Sequence, residues 1–101
     1  MNFGVSEKTI KLINDVFAKY KEVEKASIFG SRSMGNYKRG SDIDIVIFGE
    51  HVTFEILEEI SAELNERLPI PYNIDLVHYE ALGNYELKRH IDKYGKTIYQ
   101  G

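Results

Sequence analysis

The run Asp42-Ile43-Asp44-Ile45-Val46-Ile47-Phe48 constrains this chain more than any other segment. Four of its residues are β-branched, it is too short for a helix, and Gly40 and Gly49 bracket it, so it predicts a strand. Apolar residues on both faces make that strand central in its sheet. Residues two apart on a strand share a face, so Asp42 and Asp44 project side by side, with Val46 and Phe48 further along; Ile43, Ile45 and Ile47 cover the other face. Two carboxylates about 4 Å apart repel by roughly 4 kcal/mol at an effective dielectric near 20, so the pair requires a proton or a cation between them. A divalent metal is the usual solution. The acids also stand at the entrance end of a buried strand, where α/β sheets place many active sites.

Around this strand the periodicity alternates between helix and sheet. Ile10, Ile13, Val16, Phe17 and Tyr20 recur at three- and four-residue steps, which predicts a helix from Ser6, its cap, to Tyr20. Ala26 to Phe29 is a short strand ended by Gly30, and Ser31 to Ser41, punctuated by Gly35, Lys38-Arg39 and Gly40, reads as a loop. Phe54, Leu57, Ile60 and Leu64 predict a second helix, capped by Thr53 and running to Leu68, where Pro69-Ile70-Pro71 blocks continuation. Asn73 to Tyr79 reads as a third strand. Tyr85 to Tyr94 reads as a third helix with Leu87, Ile91 and Tyr94 inward and Gly95 as its stop, and Thr97 to Tyr99 as a short edge strand. One α/β domain over residues 1–101 follows, with a single sheet of three to four strands and three helices.

Asp75 repeats the chemistry of Asp44 on the third strand. Ile74 and Leu76 flank it and Val77 follows, and an acid in such surroundings is costly without a partner. If the strands of Asp44 and Asp75 are neighbours, three carboxylates meet, which is the ligand set of a two-metal phosphoryl-transfer site. Asp75 is then the candidate for general base or for ligand of the hydroxyl-activating metal. Gly30-Ser31, directly after a strand, outlines a phosphate cradle: the glycine permits close backbone approach, and the hydroxyl and amides donate hydrogen bonds. Arg32 adds a guanidinium suited to two-point pairing with phosphate, and Lys38 and Arg39 add charge.

Composition narrows the chemistry. With no cysteine, a metal must be held by oxygen or imidazole, and oxygen ligands point to magnesium. The net charge of −3 gives no general attraction to nucleic acid, so no direct nucleic-acid binding is expected. The longest uninterrupted apolar stretch, Ile45 to Phe48, is far below a membrane span, and the N-terminus lacks a signal-peptide layout, so a cytoplasmic protein is expected. His51, His78 and His90 have no metal-ligand spacing and read as structural or solvated. Tyr37, within the loop, stands out as a residue able to stack on a base or be modified itself.

Gly30-Ser31-Arg32, Gly35 and Ser41-Asp42-Ile43-Asp44 together resemble the signature of the DNA polymerase β-like nucleotidyltransferase superfamily. The short length makes the chain most similar to the minimal nucleotidyltransferases that serve as antitoxins to HEPN-domain toxins. That resemblance covers nearly the whole chain, and its basic loop Tyr37-Lys38-Arg39-Gly40 departs from the usual family form, which often carries an acid and a proline there. It implies a polymerase β-like palm, a mixed sheet with helices packed on one side, and transfer of AMP from ATP, with two magnesium ions, to a hydroxyl. By the resemblance Gly30 and Ser31 hold the triphosphate, Asp42, Asp44 and Asp75 are the catalytic metal-holding carboxylates, and Arg32 and Ser41 support the nucleotide. The acceptor it implies is a tyrosine of a HEPN-domain toxin in a hetero-oligomer, whose adenylylation silences the toxin. Two rival readings stand beside it: an antitoxin that neutralises by binding alone, and a transferase acting on a small molecule such as an aminoglycoside or on an RNA end. A 101-residue chain has little room for an acceptor-binding domain, which disfavours the last.

Overall fold

A computed structural model of the chain describes residues 3–101. Helix α1 (Glu7–Phe17) begins where Ser6 Oγ accepts the Thr9 N–H at 3.1 Å, satisfying one of the orphan donors of the first turn. It buries Ile13, Val16 and Phe17 and stops short of Tyr20. The N–H groups of Lys19 and Tyr20 reach back only three residues, to Val16 and Phe17, so the chain tightens out of the helix. Tyr20 still packs against the core and donates its hydroxyl proton to Glu63 at 3.2 Å.

The strands β1 (Lys25–Phe29), β2 (Ile43–Phe48), β3 (Ile74–His78) and β4 (Lys96–Gln100) form one sheet in the order β3-β2-β1-β4. β1 runs antiparallel to β2 and β4, and β2 runs parallel to β3, so the sheet is mixed. The parallel pair needs a crossover, which α3 (Phe54–Ala62) supplies. On one face Ala26, Ile28, Ile43, Ile45 and Ile47 pack with Ile13 and Phe17 of α1 and Ile60 of α3. On the other face Phe29 and Val46 pack with Ile91 of α4 (Tyr85–Tyr94). Helices α1 and α3 therefore share a side, as the resemblance implies, while α4 crosses the opposite side. The physical reason is β2 itself: Val46 and Phe48 lie on the face of Asp44, and the Leu87 and Ile91 stripe of α4 keeps them from water.

Two segments differ from the sequence reading. Residues 31–41 are not all loop, because Ser31–Met34 make one helical turn, α2, bounded by Gly30 and by the left-handed Gly35 at φ 85°. After α3 the chain does not remain α-helical to Leu68 but widens into a π-helical turn, Glu63–Arg67. Leu68 is extended, the conformation a following proline imposes. The wider turn presents Asn65 to the outer edge of β3, where its side chain donates to Ile74 O at 2.9 Å and accepts from Ile74 N–H at 2.7 Å. The amide thus stands in for one rung of a missing neighbour strand.

Candidate active site

The parallel register of β2 and β3 sets Asp44 directly beside Asp75. Asp42 immediately precedes β2, near enough for its charge to act on Asp44, so the three predicted carboxylates lie at one end of the sheet. Asp44 is half-buried, whereas Asp42 and Asp75 are exposed. Burial, then the charge of Asp75, then that of Asp42 push the Asp44 carboxyl above its usual pKa, and the Arg32 guanidinium acts in the opposite direction. Among the described residues no three acidic or histidine side chains are arranged to hold a metal ion as they stand. An all-carboxylate oxygen set is chemically suited to a hard divalent ion.

Gly30 ends β1 next to Asp44. Its backbone, at φ 75° and ψ −152°, is in a region essentially restricted to glycine, and a Cβ built there would overlap Asp44 Oδ2. The glycine therefore serves two needs: it turns the chain into α2, and it leaves room for the carboxylate. Its own N–H is not free to bind phosphate, because it donates to His90 Nε2 at 3.0 Å. The donors left for an anion are the first amides of α2, beginning at Ser31, which have no acceptor within the helix, and the Ser31 hydroxyl.

Arg32 is placed otherwise than the sequence reading expected. Only 3% exposed, its guanidinium donates to Phe3 O at 2.8 Å, Ser41 O at 2.8 Å and Asp42 O at 3.3 Å. The rings of Tyr37 and Tyr72 lie 4.8 Å and 4.9 Å from its centre, so it is an internal strut that fixes the chain leading into Asp42. Nothing in the local sequence distinguishes an arginine aimed at backbone carbonyls from one aimed at phosphate. Ser41 receives the strut at its carbonyl, and its Oγ is buried without a protein partner among the described residues. Lys38 and Arg39 are exposed on the loop.

The histidines separate into three roles. His51 is exposed in a turn, and His78 lies at the far end of β3, its Nε2 2.8 Å from Gly49 O and 3.2 Å from Glu80. His90, read from sequence as structural or solvated, instead reaches the candidate site from α4. Its only sequence signal is position, one residue before the buried Ile91, and that gives no hint of Gly30 sixty residues away.

Residues 11–101 match the polymerase beta nucleotidyltransferase family. This chain belongs to that family. A provisionally assigned protein adenylyltransferase of Methanocaldococcus jannaschii is 30% identical over 98 residues, covering 92% of this chain and 97% of the relative. Among solved structures, a toxin–antitoxin complex with AMP-PNP gives a TM-score of 0.73 at 22% identity, covering 96% of this chain and 75% of the other. A Shewanella oneidensis complex of tri-AMPylated HEPN toxin with MNT antitoxin gives 0.70 at 18% identity, covering 94% and 72%. A provisionally assigned Sulfolobus solfataricus nucleotidyltransferase gives 0.59 at 23%, covering 92% and 78%. At these identities the solved structures establish a shared polymerase β-like fold, and the family match makes the chain a nucleotidyltransferase. No helix of this nucleotidyltransferase, among the described residues, is long and apolar enough to cross a membrane.

Proposed function

We propose that this nucleotidyltransferase transfers AMP from ATP, with magnesium, to a tyrosine hydroxyl of a HEPN-domain toxin, and that this makes it an antitoxin. The observation that carries the reading is the register that sets Asp44 beside Asp75, with Asp42 just ahead of the strand and near Asp44, and Gly30-Ser31 at the end of the adjoining strand. The similarity to a protein adenylyltransferase supports a protein acceptor, and the similarity to toxin–antitoxin structures with AMP-PNP and with an AMPylated HEPN toxin supports the donor and the partner.

In this reading Asp42, Asp44 and Asp75 hold magnesium, which, when bound, neutralises charge on the triphosphate and activates the acceptor oxygen. The Ser31 hydroxyl and the first amides of α2 hold the triphosphate, with Gly30 shaping the turn and Ser41 supporting the nucleotide site indirectly, through the carbonyl that anchors Arg32. The acceptor oxygen forms a bond to the α-phosphorus, the bond from that phosphorus to the bridging oxygen breaks, and pyrophosphate leaves with the electron pair. The proton of the acceptor passes to the exposed Asp75 carboxylate. Asp44, half-buried beside Asp75 and near Asp42, gains from a cation that offsets their charge.

The test is intact mass spectrometry of a co-expressed HEPN-domain toxin after incubation with the protein, ATP and magnesium, beside the Asp42→Asn/Asp44→Asn double variant. Gain of one or more AMP units with the wild type alone is the expected result. Tight complexes with both proteins and no mass gain would overturn transfer to this partner and favour neutralisation by binding or another acceptor.

A further inference from the structure

We infer that His90 is a positioning residue that holds Asp44 in place through Gly30. The inference rests on the reading of Asp44 as a metal-holding carboxylate and extends it to a residue outside the motif. Three observations carry it. The Gly30 N–H donates to His90 Nε2 at 3.0 Å, across sixty residues of sequence. Gly30 lies so close to Asp44 Oδ2 that even a methyl group would not fit between them, so any shift of the turn moves the wall against which the carboxylate rests. The imidazole is itself fixed: Phe29 meets it edge-on with centroids 6.2 Å apart, Tyr94 lies 5.2 Å away, and the next residue, Ile91, is buried under the sheet.

A nitrogen that accepts from a backbone N–H carries no proton, so His90 works here as the neutral ring with its proton on Nδ1. Gly30 stands in a backbone region open to glycine, and because a glycine is also free to adopt many other conformations, the hydrogen bond to His90 restrains the turn. The chain thereby ties its last helix to the turn that precedes α2. A helix contributed after β3 secures the residue beside β2, and no motif on β1 or β2 records it.

The experiment uses the ligand-free full chain first. In the uniformly 15N-labelled wild type, a 15N–15N coupling across the hydrogen bond between Gly30 N and His90 Nε2 is expected. Mn2+ alone is then titrated into wild type, His90→Ala and His90→Gln, since glutamine offers an acceptor oxygen near the position of Nε2. Loss of a group that orients a ligand of a metal typically costs about 10- to 100-fold in affinity, so His90→Ala is expected to weaken Mn2+ by at least about tenfold and His90→Gln to restore most of it. Equal thermal midpoints for the two variants would separate this effect from general loosening of α4. Absence of the coupling, equal Mn2+ affinity in all three proteins, or equal loss in both variants would overturn the inference. Neither readout needs an acceptor, so failure of toxin modification with these results intact would overturn the proposed substrate and leave the role of His90 standing. A wild type that shows the coupling but binds no Mn2+ would overturn the carboxylate reading, and this inference with it.

Discussion

Replacing Asp44 with asparagine keeps the shape of the side chain and removes the charge, and it is expected to stabilise the protein while abolishing transfer. Asp44 is half-buried between two other carboxylates, and its pKa is raised by burial first and by Asp75 and Asp42 next. Neighbouring strands lie about 4.8 Å apart, and charges about 5 Å apart interact by about 3 kcal/mol at a dielectric of 20 but by under about 1 kcal/mol in water. Asp42 and Asp75 are exposed, so the screened figure applies, and a total of about 1 kcal/mol is expected. For a domain of this size that corresponds to a rise in Tm of about 4–8 °C at pH 7.

The pH dependence follows from the direction of the shift. The folded chain gives up the Asp44 proton at higher pH than the unfolded chain does, so wild-type stability falls as pH rises from the ordinary carboxylate value, about 3.9, through the raised folded value. The Asp44→Asn advantage is therefore complete above that window and absent below it. Magnesium at ten times its Kd should add about 1.4 kcal/mol to the wild type and less to the variant. Thermal denaturation followed by circular dichroism, at pH 3 and pH 7 and with and without magnesium, measures all of this. A variant no more stable than wild type at pH 7, or an advantage undiminished at pH 3, would refute the electrostatic argument.

Arg32→Ala should cost at least about 3 kcal/mol in urea denaturation, because three carbonyls lose their donor inside the protein; unchanged stability with weakened ATP binding would return Arg32 to the phosphate role its motif suggested. Asn65→Ala should cost about 1–2 kcal/mol and accelerate amide exchange at Ile74, the residue before Asp75. Unaltered exchange there would show that β3 keeps its edge without the asparagine.

The elements that short-range pattern controls were legible in the chain itself. The alternation of Asp42 to Phe48 determined a buried strand with its acids on one face, Ser6 and Thr53 determined where two helices begin, and Pro69 determined that the second could not continue. The turn after Phe29 at Gly30-Ser31 and the side-by-side placement of Asp42 and Asp44 were legible for the same reason, since each follows from residue type and a spacing of one or two positions. The pairing of Asp44 with Asp75 was only conditional in the sequence, because periodicity says which face a residue occupies but not which strand lies beside it. The direction of Arg32, the π-helical turn at Asn65 and the approach of His90 to Gly30 lay beyond it altogether. Each depends on a partner supplied from elsewhere in the fold, a carbonyl of Phe3, the edge of β3 or the amide of Gly30, and only the packed tertiary structure brings such partners within hydrogen-bond range.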